Sequence, residues 1–457
     1  MRENTIINDK FDFISILDVQ SSKTINEHAT FYIKGHIRAG NDEYVLRGSA
    51  GQSVTFIATG PNGSKKIFNG LISDIDIHTD NETCVLTLNL VSRTALMDIV
   101  PETRTFQDSD MTYQTVTNLM GEKNANFNYL WPTHGNRAIG SMTVQYKETD
   151  WQYAKRLASR LGTVIVPDYL LDTPYVSIGV PNRSAKSGIE IISHTIKNDM
   201  KQYRDSKPGG NFIAADAIYH TVKSREIFDL CDPIPLFGRT LHVYAIETRY
   251  EGDELVHYYT LKDKSSFHTK RIYNENLTGA ALDGKIIEIA QDKVRVAITD
   301  DVKQRTHKWF PYATPFTQPA GYGWYFMPEI DDEIRLKFPS EQEHDAYVAS
   351  AVHVTHGNRT DPEVKYIRTI YGQIIQFDPE KIWLSDGAGS SITMHHDKGI
   401  TMETDKTVDI EARSDIAIIA SGKIMLSGDE GVLMRKGNSV VNIDDAVDII
   451  SEHTREQ

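Results

Sequence analysis

An eight-residue repeat near the C-terminus is the feature that most restricts how this chain can fold. From residue 392 to residue 432 every eighth residue is aliphatic, and so is the residue two positions after each of them. These two columns are Ile392, Ile400, Val408, Ile416, Ile424 and Val432, and Met394, Met402, Ile410, Ile418, Leu426 and Met434. Chance agreement at every position is on the order of one in 10⁵ to 10⁶, so the repeat reflects structure.

Each repeat predicts a short strand with one apolar face, followed by a polar turn. Two aliphatic side chains per strand are too few to cover a core, so a single chain cannot bury both columns. Three chains wound around one axis can each supply one wall of a triangular prism, which leaves few strand edges open. The repeat therefore predicts a homotrimer in which residues 392–437 form a triple-stranded β-helix with the two columns as its core.

The part of the chain before the repeat is predicted to be mainly β with small helices. Residues 1–105 and 163–277 contain alternating apolar and polar segments, and each region predicts an antiparallel, β-barrel-like domain. Residues 106–162 predict a helix-containing insertion between them. Its first helix is capped by Asp110 and its second helix by Thr149 or Asp150.

Residues 278–356 predict an OB-fold barrel of five short strands. The strand-like segments are 285–289, 293–298, 323–327, 333–338 and 346–352. The predicted OB-fold core or trimer contacts are Trp309, Trp324, Phe326, Ile334 and Leu336. Residues 357–391 are a linker and the start of the prism. Residues 438–457 form a tip segment with room for one short helix, which would begin at Asp444 or Asp445.

Charge and cysteine content exclude several classes of protein. The chain has 63 acidic and 49 basic residues and a net charge of −14, which disfavours non-specific binding to nucleic acid or anionic membranes. Residues 1–10 lack a signal or transit pattern, so synthesis in the cytoplasm is expected. Cys84 and Cys231 are too far apart in sequence for a recognisable metal or redox motif and are predicted to be buried thiols.

The sequence contains no familiar catalytic motif, so no catalytic residue and no enzymatic activity are predicted. The segment Thr-His-Gly-Asn-Arg occurs at 133–137 and at 355–359, and Asp331 precedes Asp332; all are interpreted as turns. His395 and His396 are adjacent, so strand alternation would place them on opposite faces, and His453 stands alone. No metal and no cofactor are therefore predicted, with an axial metal ion at the tip as the minor alternative.

Three stretches in this order resemble a known family. They are residues 145–162, which lead from a strand into a helix rich in aromatic, Arg and Leu residues; residues 309–313 with 321–338; and the octad repeat. Together they resemble the spike proteins of contractile injection machines, including VgrG-type spikes of type VI secretion and the fused hub and central spike of phage tails and phage-tail-like bacteriocins. The resemblance covers essentially the whole chain.

The resemblance implies a structural baseplate hub and cell-puncturing spike that links a tail tube to the target envelope. The implied partners are two further copies of the chain, a tail tube or tube-initiator protein, baseplate wedge proteins and a tip-capping protein. The target cell envelope is contacted transiently and nucleic acid is not bound. The expected location is a virion or an extracellular phage-tail-like particle.

The sequence also departs from some members of that family. Only about ten residues, 357–364, separate the OB segment from the next strand-like segment, which leaves no room for an inserted lysozyme domain, and only 23 residues follow Met434. Two other functions remain open: a trimeric receptor-binding or glycan-cleaving tail fibre, and an OB-fold binder of single-stranded nucleic acid. The large region before the prism favours the spike over the fibre.

Overall fold

The computed structural model describes residues 5–38, 51–60, 63–81, 83–124, 126–201, 214–302, 308–317, 322–351 and 361–450. The chain divides into two compact units, Met1–Val354 and Thr355–Gln457. Antiparallel sheets dominate both units, so the predicted mainly β fold with small helices is confirmed.

The first unit begins with residues 1–277, named the hub segment after the resemblance described above. Among its described residues, strands are the main regular structure. In chain order its strands are β1 Thr5–Asn8, β2 Phe13–Thr24, β3 Thr30–Ile37, β4 Ser53–Gly60, β5 Gly63–Asp80, β6 Thr83–Ser92, β7 Glu102–Phe106, β8 Asn128–Leu130, β9 Thr143–Glu148, β10 Ile165–Pro167, β11 Tyr175–Ile178, β12 Ser193–Asn198, β13 Ile218–Ser224, β14 Pro233–Leu236, β15 Arg239–Glu251 and β16 Glu254–Lys262. Short 3₁₀ turns occur at Arg93–Asp98, Ala214–Ala217, Lys264–Ser266 and Glu275–Leu277.

One eleven-stranded sheet joins the two regions that were predicted as separate barrels. Its strand order is β1-β4-β5-β6-β3-β2-β15-β16-β13-β12, and β14 pairs with β15. The junction is the antiparallel pair β2 and β15, in which Thr24 lies opposite Ala245. A single hydrophobic core contains buried residues from both regions. The strands were therefore predicted from local pattern, whereas their union in one sheet depends on pairing between distant segments.

The alternation in β6 shows why these segments form strands. Cys84, Leu86, Leu88 and Leu90 are buried, and the residues between them are less buried, as expected for a strand with one face on a core. Cys84 and Cys231 are both buried and are not joined in a disulfide, so the prediction of two buried thiols is confirmed.

Two helices lie in the insertion. They are α1, Tyr113–Lys123, and α2, Asp150–Arg160. Thr149 caps α2 in a capping box with Gln152, which confirms one of the two predicted caps. The predicted Asp110 cap of α1 is wrong, because the Thr112 hydroxyl accepts the hydrogen bond from the Thr115 N–H at 3.1 Å.

The OB segment, residues 278–356, contains a five-stranded sheet. Its strands are β17 Ala281–Ala290, β18 Lys293–Ile298, β19 Trp309–Pro311, β20 Glu333–Lys337 and β21 Tyr347–Ala351, with a 3₁₀ turn at Glu343–Asp345. The order is β19-β18-β17-β20-β21. A parallel bridge between Tyr312 and Val348 connects the two outer strands. The predicted strand at 323–327 is wrong, since those residues lie outside the ladder and the third strand is β19.

The second unit contains two small antiparallel sheets. The first consists of β22 Lys365–Arg368, β23 Ile374–Phe377, β24 Lys381–Ser385, β25 Ser391–His395 and β26 Gly399–Glu403, and the second of β27 Val432–Lys436, β28 Ser439–Ile443 and β29 Val447–Ile450. The predicted helix after Asp444 is wrong. Asp444 instead accepts the N–H of Ala446 in a turn, and the apolar residues Val447, Ile449 and Ile450 favour the strand that follows.

The octads form strands only in part in this single chain. The repeats that begin at 392, 400 and 432 coincide with β25, β26 and β27, whereas residues 404–431 have no strand partner. A short strand needs neighbours to persist, and a lone chain supplies none for the central repeats. Among the described residues, no helix is long and apolar enough to cross a membrane.

Candidate assembly surfaces

A buried arginine on α2 connects the hub segment to the OB segment. The Arg156 guanidinium donates to the Glu148 carboxylate at 2.7 and 2.9 Å and to the Glu343 carboxylate at 2.6 Å. It also donates to the backbone carbonyl of Val144. All three charged side chains are almost fully buried, so each depends on the others for its hydrogen bonds.

The electrostatics of this cluster favour its charged form. Burial alone would lower the pKa of Arg156, but Glu148 and Glu343 raise it above its ordinary value. Burial alone would likewise raise the pKa of Glu343, but Arg156 and Arg160 bring it below its ordinary value. The cluster is therefore an ion triad that ties α2 to the 3₁₀ turn of the OB segment.

A second buried network anchors the start of α2. Asp150 accepts hydrogen bonds from Arg104 at 2.7 Å, from Gln145 at 3.0 Å and from Asn124 at 2.9 Å. These partners belong to β7, β9 and the end of α1. Asp150 thus holds the elements of the insertion around the N-terminus of α2, where a negative charge is favourable.

Further contacts fasten the hub segment to the OB segment. The Thr105 N–H donates to the Asp300 carbonyl at 2.8 Å, and the Val302 N–H donates to the Thr105 carbonyl at 3.1 Å. Gln107 donates to the carboxylate of Asp301 at 3.0 Å. Met142 lies in the same hydrophobic cluster as the strands of the OB segment. Backbone, side-chain and apolar contacts therefore all cross this junction.

Asp301 has an unusual environment within this junction. Burial raises the pKa of its carboxyl to about 6, although the hydrogen bond from Gln107 opposes the increase. One carboxylate oxygen accepts from Gln107, and the other is buried with no hydrogen-bond partner. Ionisation of Asp301 therefore weakens the junction.

Sequence reasoning missed this junction. Arg156 and Glu148 lie inside the stretch 145–162, but Glu343 is 187 residues away from Arg156. The one local signal was an arginine between Ala154 and Leu157, both fully buried on the apolar face of α2. A charge in that position indicates a buried partner, but the pattern does not identify it.

The predicted aromatic and aliphatic residues of the OB segment fall into two groups. Ile334 and Leu336 are fully buried in the sheet core. Trp309 is partly buried, and the Arg295 guanidinium lies 4.5 Å from its ring centroid. Trp324 and Phe326 are more than half exposed, so they do not belong to the core of this chain, and their alternative role as trimer contacts stays a prediction.

The loop that presents these aromatic residues has a defined local structure. Trp324 donates its backbone N–H to the Phe316 carbonyl at 2.8 Å. Gly323 has φ of +136°, and a Cβ at this position would lie 2.5 Å from the same carbonyl oxygen. Only glycine therefore fits at this position. Phe316, Tyr322 and Trp324 are all exposed, and the rings of Phe316 and Tyr322 lie 6.1 Å apart.

The two octad columns are largely exposed in the second unit. Every column residue except Val432, which is partly buried, is an exposed large hydrophobic side chain. Where strands form, the columns lie on one face: Ile392 is opposite Met402, and Met394 is opposite Ile400. Soluble proteins rarely leave such a continuous aliphatic surface uncovered.

A histidine pair lies at the turn between β25 and β26. The His395 and His396 rings stack with centroids 5.1 Å apart, so the prediction that they lie on opposite faces is wrong. The strand ends at His395, and alternation does not extend to His396. Among the described residues, His395, His396 and Asp397 are the group whose donor atoms, within 4.8 Å of one another, could hold a metal ion.

The other predicted turns are found where the structure describes them. Residues 133–137 form a turn in which the Arg137 N–H donates to the His134 carbonyl, and the Asp332 N–H donates to the Glu329 carbonyl beside Asp331. The second Thr-His-Gly-Asn-Arg segment, 355–359, and His453 lie outside the described residues.

Comparison with known families gives the context for these surfaces. The family described as phage tail baseplate hub (GPD) matches residues 29–167. The family described as type VI secretion system/phage-baseplate injector OB domain matches residues 283–353. The resemblance to VgrG-type tail hubs is confirmed. The hub match includes α2 and its buried networks, and the OB match includes Glu343, so the ion triad joins the two matched domains.

Solved structures share the fold of this chain. The E. coli c3393 protein, a type VI secretion component described as similar to T4 tail proteins gp27 and gp5, aligns over 76% of this chain and 100% of its own, with TM-score 0.52 and 11% identity. A chain of the Francisella PdpA-VgrG complex aligns over 89% of this chain and 88% of its own, with TM-score 0.57 and 8% identity. A search of the curated proteins finds no match.

Proposed function

We propose that this chain is the homotrimeric hub and cell-puncturing spike at the centre of a contractile tail or injection baseplate. The hub segment would join the tail tube or its initiator protein, and the octad prism would be driven through the target envelope. In this proposal the protein is not an enzyme, needs no cofactor and does not bind nucleic acid.

The exposed octad columns carry the proposal. They place aliphatic side chains in solvent along residues 392–434, and the central repeats lack strand partners within the chain. Association of three chains would bury the columns and pair the strands at the same time. Neither change requires any residue outside the repeat.

The buried contacts between the hub and OB segments support the mechanical part of the proposal. A spike must transmit force along its length without local unfolding. The buried Arg156 triad and the backbone hydrogen bonds of Thr105 join the two segments more firmly than a flexible linker would. Baseplate wedge proteins and a tip-capping protein are the further proposed partners. The Francisella neighbour, solved as a complex of VgrG with PdpA, supports a spike that carries a bound partner.

The experiment that tests the proposal is the mass of the purified full-length protein. Size-exclusion chromatography with light scattering should give three times the mass of one chain, and dilution should not dissociate the particle. A stable monomer would refute the prism. Peptidoglycan zymography of the same trimer should show no clearing, and a cleared band would refute the non-enzymatic function.

The exposed aromatic loop is the one observation that favours a second function. Trp324, Tyr325 and Phe326 could stack nucleotide bases, as OB domains do. The nearby acidic residues Glu329, Asp331 and Asp332 oppose a nucleic-acid backbone. Fluorescence anisotropy with labelled oligothymidine should therefore show no saturable binding, and salt-sensitive binding would favour the second function.

A further inference from the structure

The residues on the outward side of the octad repeat change from polar to largely apolar along the chain. In each repeat the columns alternate with two positions that face away from them, because successive strand residues point to opposite faces. In the first three repeats these positions hold Thr393, His395, Thr401, Glu403, Asp409 and Glu411; in the last three they hold Ala417, Ile419, Met425, Ser427, Leu433 and Arg435. The outward surface is thus polar at first and then largely apolar.

The structure agrees with this division of faces where strands are present. Thr393 lies opposite Thr401 in the hairpin of β25 and β26, on the face away from the columns. Further along, Ile419 is 90% exposed and Met425 is 85% exposed, the two highest values among the large hydrophobic side chains of the described residues. Both exceed every column residue in exposure. Closure of the prism would bury the columns but leave these two side chains outside.

Charged residues are nearly absent from the same stretch. Residues 416–428 contain one charged side chain, Lys423. The stretch is bounded by Asp409, Glu411, Arg413 and Asp415 on one side and by Asp429, Glu430, Arg435 and Lys436 on the other. A charge-poor apolar zone between charged zones is the pattern of a surface that meets hydrocarbon between two aqueous regions.

We propose that Ala417, Ile419 and Met425, repeated three times around the trimer, form an apolar girdle that contacts the hydrocarbon of the target membrane. The inference rests on the proposed prism, which places these side chains outside and pairs the backbone groups that lipid could not satisfy. Three-fold symmetry would place the girdle on every side of the shaft, and lipid would contact the shaft on every side. A one-sided protein partner would need only one face.

The size of the girdle indicates transient contact. The two repeats of the girdle, which start at 416 and 424, give two strand layers, about 9 Å along the shaft at ~4.7 Å per layer. The hydrocarbon core of a bilayer is about 30 Å thick, so the girdle matches roughly a third of it. The girdle therefore suits a shaft that passes through a membrane, because it lowers the cost of entry without anchoring the protein.

Flotation with phosphatidylcholine vesicles tests the girdle. The full-length trimer should float with the vesicles, and flotation should persist in 0.5 M salt. The double variant Ile419→Glu, Met425→Asp places at these positions the residues that the repeat starting at 408 carries, and it should reduce the floating fraction about tenfold. The control Thr401→Ser, Glu403→Gln alters the same repeat positions upstream and should float like the wild type.

Each remaining outcome decides against the girdle in a distinct way. A trimer that does not float, or a double variant that floats as well as the wild type, overturns the girdle alone. If flotation needs anionic phosphatidylglycerol and disappears in salt, basic residues make the contact, and the girdle proposal is overturned as well. Vesicle-free clustering of trimers that the double variant abolishes would make the surface a contact between trimers. Light scattering on the same samples separates these results from a monomer, which would refute the proposed function itself.

Discussion

The Arg156 guanidinium of α2 lies 2.6 Å from the Glu343 carboxylate of the OB segment, and both side chains are almost completely buried. The two residues are 187 positions apart in sequence, so their contact is a direct link between the hub and OB segments. Because a buried charge without its partner is costly, each residue stabilises the docking of the other's segment.

Glu343→Gln tests the strength of this link. The amide keeps the shape of the side chain but removes its charge, while Arg156 retains Glu148. We expect a loss of about 2–3 kcal/mol in the free energy of unfolding, measured by urea denaturation. Glu288→Gln is the matched control, because Glu288 also lies 2.6 Å from an arginine, Arg295, but Glu288 is exposed and Arg295 is partly exposed. Its expected effect is below about 1 kcal/mol, and equal effects would contradict a special role for the buried pair.

The Arg156–Glu343 pair also predicts that the folded protein loses stability in acid. The pKa of Glu343 is lower in the folded protein than in the unfolded chain, so its ionisation contributes stability above its ordinary pKa. This contribution is lost as the pH falls through the folded-state value. The thermal midpoint of the wild type should therefore fall more steeply than that of Glu343→Gln as the pH drops below about 4.5. Parallel curves would show that Glu343 does not titrate with folding.

The buried position of Asp301 predicts a pH dependence of folding stability opposite to that due to Glu343. Burial raises its pKa to about 6 in the folded state, so the neutral form favours folding and stability is lost as the pH rises through that value. Asp301→Asn should raise the thermal midpoint relative to wild type at pH 7.5, with little gain at pH 4.5. The exposed Asp292→Asn on the same segment should change neither value. A gain that is the same at both pH values would exclude titration of Asp301 as the cause.

Local patterns predicted the parts of this fold that depend on neighbours in sequence. The period-two alternation of residues 84–90 predicted β6, and Thr149 with Gln152 predicted the start of α2. The octad repeat predicted strands at 391–395 and 399–403. In each case the side chains that determine the structure lie within a few residues of one another.

The remaining features depend on contacts that local patterns do not encode. The pairing of β2 with β15 joins segments more than 200 residues apart, and so the single sheet across the hub was not foreseen. The strand expected at 323–327 failed because Gly323 adopts a positive φ and turns the aromatic residues outward. The segment 447–450 was expected to be helical but pairs with β28, which supplies a neighbouring strand.

Substitutions on the two faces of the repeat test the prism. Ile418→Asp would place three carboxylates around one axis in each trimer, and each would cost several kcal/mol or be forced to take up a proton. The thermal midpoint should fall sharply and light scattering should show dissociation. Asp415→Lys lies outside the two columns and should change neither quantity appreciably. Equal shifts for the two variants would contradict the assigned faces.

Deletion of residues 438–457 tests the tip. In the single chain β28 and β29 form a sheet with β27, whereas the two columns end at Met434 and do not depend on these strands. The truncated protein should therefore remain a trimer by light scattering. Assembled particles that carry it should lose injection or killing, because the shaft would end in the open edge of β27 and would lack the contacts for a tip-capping protein. Full activity of the truncated particles would show that the tip segment has no role in penetration, and loss of the trimer would show that β28 and β29 are needed for assembly.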